Sequence, residues 1–221
     1  MNMDAVRERV ASVIAEVMRQ AVRDAGADGV VILDDGTPEA RLAIEWTRRG
    51  LGSERVHAVA PPGEDELSAL LLALDSGTTD RTRARHESHR LRARLEAAAR
   101  GALLAHPANK TALLLGGEIP PEPLLPLGDL YASQIEDLTG EWSAPDSVRR
   151  LAEAAGGISI LDEALTAWAE ERRPLLDALN VLPRDVAGNV GRLLEAGRFA
   201  RRRVGLVPKL GFRTLGIDLL G

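Results

Sequence analysis

The stretch Val30–Trp46 reads VVILDDGTPEARLAIEW, an apolar run, an acidic turn and then a helical pattern. The run GVVIL from Gly29 is short and β-branched, which suits a strand buried on both faces. Apolar residues after Pro38 recur at helical spacing and predict a helix to about Arg49, and RVHAVAP from Arg55 predicts a second strand. Strand, turn, helix and strand in succession make a βαβ unit, the opening layer of a doubly wound parallel sheet. In nucleotide-binding folds such a turn offers backbone amides to phosphate at a helix N-terminus. Here it carries two carboxylates, Asp34 and Asp35. Thr37 suits an N-cap, Pro38 the first helical position, and Glu39 lies in the first turn. An aspartate near the positive end of that helix is favourable by about 0.3–1 kcal/mol. The turn therefore reads as a helix cap whose own acid fills an anion position.

Working outward, Val6, Val10, Val13, Ile14, Val17 and Met18 predict an amphipathic helix from about Asp4 to Ala25. Charges are interspersed along it, so it does not read as a signal peptide. The 221 residues are 45% hydrophobic and 28% charged, enough for one α/β domain with its own core. Aromatics are 3%, so that core is expected to be rich in Leu, Ala and Val. A net charge of −5 argues against a dedicated nucleic-acid binder, and no apolar run approaches a membrane span. Without cysteine there is no disulfide, thiol nucleophile or thiolate metal site. A cytoplasmic protein is the expectation.

Downstream, PPGEDELSALLLALDSGTTD predicts a loop, a short helix and a polar turn, and DRTRARHESHRLRARLEAAARGALLAH a long arginine-rich helix running towards a third strand in GALLA. GGEIPPEPLLPLGD is a proline-rich loop and the clearest break in the chain. From DLYASQIEDLTGEW the pattern is helical, in four short pieces ending at Arg203, followed by the glycine-punctuated tail VGLVPKLGFRTLGIDLLG. The expected organisation is one domain over 1–221: an N-terminal helix (1–25), an α/β core (26–128), a helical part (129–203) and an extended tail (204–221).

Three segments, in order, resemble the NAD synthase family, ATP pyrophosphatases that amidate nicotinic acid adenine dinucleotide. GVVILDDGTPEARLAIEWTRRGLGSERVHAVAPP is similar to the family's opening βαβ unit. ANKTALLLGG and then PLGDLYASQIEDL resemble its SNKTE and P(I/L)GDLYKTQV segments. GGISILDEALTAW and EAGRFARRRVGLVPKLGFRTLG resemble its closing helices and basic tail. The resemblance implies a doubly wound parallel sheet, here shortened, with a helical C-terminal part, and a homodimer.

The departures carry as much weight. The family's phosphate loop is S-G-G-x-D-S; the corresponding residues are Asp34, Asp35, Gly36, Thr37, Pro38 and Glu39, of which only Gly36 is kept. Pro38 and Ala112 stand where the resemblance implies the two magnesium carboxylates. The family's YGD segment is shortened to GGEIPPEPLL, and the stretch before the arginine-rich helix is also short, which leaves one strand of the sheet unassigned. The degenerate nucleotide loop is thus Asp34, Asp35, Gly36 and Thr37. A pocket edge is expected from Arg94, Asn109, Lys110, Thr111 and Asp129, with alternatives for each. Arg94, in a helix with Arg83, Arg85, Arg90, Arg92 and Arg100, could instead pair with Glu87 or Glu96; Asn109 to Thr111 could cap a turn; Asp129 could N-cap the next helix. His86 and His89 are three apart on a helix and could share a metal, but lack a third ligand of diagnostic spacing. No metal site and no cofactor are expected. The resemblance together with these departures implies a non-catalytic homodimeric binding or scaffold protein, with a protein partner possible. The alternative is an active ammonia-dependent NAD synthase using ATP and Mg²⁺, its metal held by Asp34, Asp35 or Glu118. No glutaminase segment is read in the sequence, so that form is expected to use free ammonia or a separate partner.

Overall fold

The structure, a computed structural model, describes residues 3–66, 81–116, 122–197 and 205–210. Helix α1 (Met3–Asp24) precedes strand β1 (Val30–Leu33), helix α2 (Pro38–Leu51) and strand β2 (Val56–Val59). Helix α3 (Arg81–Ala99) and strand β3 (Leu103–Ala105) follow. The short helix expected between β2 and α3 falls mostly outside the described residues. β1 lies in the middle of the order β2-β1-β3 and pairs in parallel with both neighbours, Val30 opposite Val56 and Leu103. All four β1 side chains are buried, as its unbroken apolar run predicts.

Helices cover both faces. Ile14, Met18 and Val22 of α1 and Leu42, Ala43 and Trp46 of α2 pack with Val30 and Ile32. Val31, Leu33, Val59 and Leu104 face the other way, against Ala93 and Ala97 of α3. Small residues bring α3 close to the sheet, so its larger Leu91 and Leu95 stand exposed, Leu95 at 63%. The expected doubly wound α/β layout is present.

The proline-rich segment is not the loose break that its composition suggests. Residues 124–130 are buried, and Leu124 forms a parallel bridge to Ala105 and a second one to Leu206 of the tail. The sheet is thereby continued past β3 by two single rungs. Pro123 and Pro126 have no N–H, which explains why pairing stops there. The amides of Leu124 and Leu125 are the ones that bond, to Leu104 O (3.3 Å) and Leu206 O (2.9 Å).

The remaining described helices are α4 (Lys110–Leu115), α5 (Ala132–Thr139), α6 (Asp146–Ala155), α7 (Ile158–Ala169), α8 (Leu175–Ala178) and α9 (Arg184–Ala196). Among the described residues five α-helices thus follow residue 129, where four helical pieces were expected. They enclose a second core of Leu114, Leu125, Val148, Leu161, Leu165, Val190 and their neighbours. Gly205 fits where the tail crosses the proline-rich segment. A methyl there would lie 2.5 Å from Pro123 O and 2.7 Å from Glu122 O. Gly205→Ala is expected to destabilise the protein by about 1–3 kcal/mol through this overlap, read as a lower urea midpoint; an unchanged midpoint would show that the tail does not dock here.

Candidate functional site

In an open parallel sheet, ligands lie outside the carboxyl ends of the strands where the order reverses. Here that point is between β1 and β3, where the chain leaves to opposite sides. Residues 34–37 follow β1 and residues 106–109 follow β3. The sequence-predicted loop and the Asn109–Thr111 segment therefore meet at one place.

The loop amides are already engaged. Gly36 N–H donates to Asp34 Oδ1 at 3.1 Å, and Thr37 N–H to Asp35 Oδ1 at 3.1 Å. Thr37 Oγ1 donates to the same Asp35 oxygen at 2.6 Å and accepts from Ala40 N–H at 3.2 Å, so Thr37 is the N-cap of α2. Gly36 turns the loop at φ +79°, a conformation that glycine adopts without strain. Arg41 ties down the Gly36 carbonyl at 3.2 Å.

Glu39 is the residue that sequence reading missed. It is 3% exposed and reaches across the switch point. Its carboxylate accepts from Asn109 Nδ2 (2.9 Å), Ser143 N–H (3.0 Å) and Ser143 Oγ (2.7 Å). Asn109 Oδ1 accepts from Ala112 N–H at 2.9 Å and so caps α4. The two strand ends are bridged by the chain's own side chains.

Lys110 and Thr111 point into the helical part. Lys110, 1% exposed, pairs with Asp129 at 2.7 Å and with Glu170, and its ammonium lies 5.0 Å from the centre of the Tyr131 ring. Asp129 is a correction to the N-cap alternative: it holds Lys110 and accepts from Leu210 N–H at 2.6 Å, anchoring the tail. The start of α5 is served instead by Gln134, which accepts from Tyr131 N–H, and by Thr111, which accepts from Ala132 N–H. Thr111 Oγ1 donates to Asp162 at 2.6 Å. Burial pushes the Asp162 carboxyl up, against the hydrogen bonds from Thr111 and Ser133.

Arg94 lies 3.7 Å from Glu122, not from Glu87 or Glu96. Arg100 is the arginine that takes Glu96, at 2.5 Å. His86 and His89 do not converge: His86 is exposed, whereas His89 is buried and donates Nε2–H to Val59 O. Among the described residues no three His, Asp or Glu side chains are grouped to hold a metal. His106, directly after β3, accepts from Ala108 N–H at 3.1 Å. Burial pushes its imidazole down to about 4.

The chain is 25% identical to the NH3-dependent NAD+ synthetase of Chlorobium phaeovibrioides, over 98% of this chain and 95% of that protein. The chain is thus NAD synthase-like along its whole length. Its fold matches the NH3-dependent NAD synthetase of Campylobacter jejuni with a TM-score of 0.63 at 19% identity, covering 87% of this chain and 95% of that one. It also matches the NMN synthetase of Francisella tularensis with a TM-score of 0.61 at 13% identity, covering 92% and 99%. No protein-family model matches the chain.

Two outcomes follow for this NAD synthase-like site. Removing one partner of a buried ion pair strands the other charge, so Lys110→Met is expected to cost about 3–5 kcal/mol in urea unfolding; a loss below about 1 kcal/mol would show the cluster to be solvated. His106 is held neutral by the fold, with its pKa lowered from 6.5 to about 4. Its contribution is therefore complete above pH 6.5 and is lost as pH falls towards 4. Between pH 7.5 and pH 5 the wild type should lose about 2 kcal/mol more than His106→Asn in paired urea titrations, and parallel pH profiles would refute the assignment.

Proposed function

We propose that this NAD synthase-like protein has lost ATP- and Mg²⁺-dependent amide ligation and serves as a non-catalytic homodimeric binding or scaffold protein. The observation that carries this reading is the engagement of the Gly36 and Thr37 amides by Asp34 and Asp35. Phosphoryl chemistry needs donors and cations around a polyanion. Two carboxylates about 5 Å from phosphate oxygens would instead repel by about 3 kcal/mol per charge pair at an effective dielectric near 20. The residues present do not fit Mg-ATP. Pro38 and Ala112 offer no ligand atoms where the family resemblance implies carboxylates, and the two loop aspartates each turn Oδ1 to a different backbone amide. The homodimer rests on the resemblance, and light scattering of the purified chain reads it directly.

A second reading, an active ammonia-dependent NAD synthase, is favoured by the end-to-end match to the Chlorobium protein. Of its proposed metal ligands, Glu118 lies outside the described residues. Calorimetry with Mg-ATP separates the two readings, and no heat of binding is expected up to millimolar nucleotide. Micromolar binding, with formation of NAD from nicotinic acid adenine dinucleotide and ammonia that Asp34→Ala abolishes, would establish the enzyme instead.

A further inference from the structure

Among the described residues, Trp46 Nε1, Thr47 Oγ1 and Tyr131 Oη are buried side-chain polar atoms with no hydrogen-bond partner. A buried polar atom without a partner is costly and calls for an explanation. Of these, Tyr131 lies on a cavity of about 300 Å³ between the start of α5, α7 and α8. The residue is 5% exposed, and its ring lies under the Lys110 ammonium. Thr166, also on the cavity wall, is close enough to bear on its ionisation, yet no hydrogen bond forms between them. Burial, with the Glu170 carboxylate adding to it, pushes the phenol up, so it keeps its proton. The buried acid of the lining is already engaged. Asp162 Oδ1 accepts from Thr111 Oγ1 at 2.6 Å, and Oδ2 accepts from Ser133 N–H at 2.7 Å. The exposed lining residues Glu171 and Arg173 pair with each other at 2.7 Å. Between them stands Arg172 at φ +59°, among the described residues the one non-glycine with a positive φ. Side chains adopt that conformation at a cost, and such strain gathers at ligand sites. Here it is held by Glu171 N–H donating to Thr166 O and Arg173 N–H to Ala167 O.

We propose that this cavity binds a small neutral polyhydroxylated molecule, a monosaccharide or a linear polyol, with one of its hydroxyls bonded to Tyr131 Oη. A hydroxyl both donates and accepts, as the phenol does, so the two groups satisfy each other. A charged ligand fits worse. With Asp162 engaged and Tyr131 neutral, an ion would give up its hydration at the buried end without a free counter-charge. An anion would in addition meet the carboxylates of Glu163 and Glu171, both exposed in the lining. Thr166 offers a second hydroxyl, and the buried Ala167 and Ala178 offer apolar surface to the C–H groups of a sugar or polyol. The described lining includes no residue of the loop 34–37 and neither Glu39 nor Asn109, so the inference holds whether or not the switch point is catalytic.

Saturation-transfer NMR with glucose, xylitol and ethanolamine at millimolar concentration tests it on the wild type, Tyr131→Phe and Thr166→Val. Low concentrations matter, because sugars and polyols at high concentration stabilise folded proteins generally by exclusion from their surface. Transfer from the wild type to glucose or xylitol is expected, and titration should show Tyr131→Phe binding that compound about tenfold more weakly. Thermal melts give a second readout. Since Tyr131 Oη has no partner to lose, Tyr131→Phe in plain buffer should melt no lower than the wild type. If Tyr131→Phe does not fold, Thr166→Val, which nearly keeps the side-chain shape, is read in the same way for weakened binding. Transfer to neither glucose nor xylitol would overturn the proposal, as would equal binding by wild type and variant. A signal from ethanolamine alone would overturn it too, because charge and not hydroxyl groups would then select the ligand. Calorimetry with Mg-ATP stays informative in every case, because it reads the loop and not this cavity.

Discussion

A backbone amide in a tight turn can serve one good acceptor, and at Gly36 and Thr37 those acceptors are Asp34 and Asp35. The rest of the candidate site depends on that allocation. Once the two aspartates are turned onto the loop amides, Thr37 caps Ala40, α2 starts at Pro38, and Glu39 is delivered to the switch point in the first turn. A phosphate arriving from solvent would have to displace acceptors that are covalently tethered to the loop. Tethering makes the internal acceptor hard to outcompete, because its ordering entropy is already spent in folding.

Glu39 shows the same logic one layer deeper. A buried carboxylate is costly unless hydrogen-bonded, and this one receives three donors from Asn109 and Ser143. Those donors come from positions far along the chain, so the interaction also fixes how the helical part meets the sheet. Removing Glu39 would take the acceptor from the Ser143 amide and hydroxyl together and leave the Asn109 side-chain amide only the Ser143 carbonyl, which makes the cluster cooperative rather than a sum of pairs.

The sheet and its flanking helices were legible because their signals are local. The VVIL run has strand composition and no polar interruption, and Thr37-Pro38 marks a helix start by its own chemistry. What was not legible depends on distant partners. Glu39 looks like any acid in a first helical turn until Asn109 and Ser143 are brought to it. Asp129 precedes a helix and so looks like a cap, yet its partners are Lys110 and the tail amide of Leu210. The proline-rich segment looks like a boundary, since prolines break ladders. Leu124 still makes rungs on both sides, because its own N–H and C=O serve β3 while the Pro123 carbonyl and the Leu125 N–H serve Leu206, and none of these needs a proline N–H.

Asn109, Lys110 and Thr111 bring these threads together. Consecutive residues at a helix start point in different directions, and here each meets a separate buried acid: Glu39, Asp129 and Asp162. An open crevice lined with donors needs an anion from outside to be stable when closed. A crevice whose donors each hold an internal carboxylate does not, and it folds to completion without a ligand. In this chain each of the three side chains of that short segment is matched by an acid from another part of the chain, so the sheet, the helical part and the tail converge on it. The segment that resembles a ligand-binding edge therefore acts as the junction of the fold, and displacing any of its three acids would loosen the contact between both cores before it exposed a binding surface.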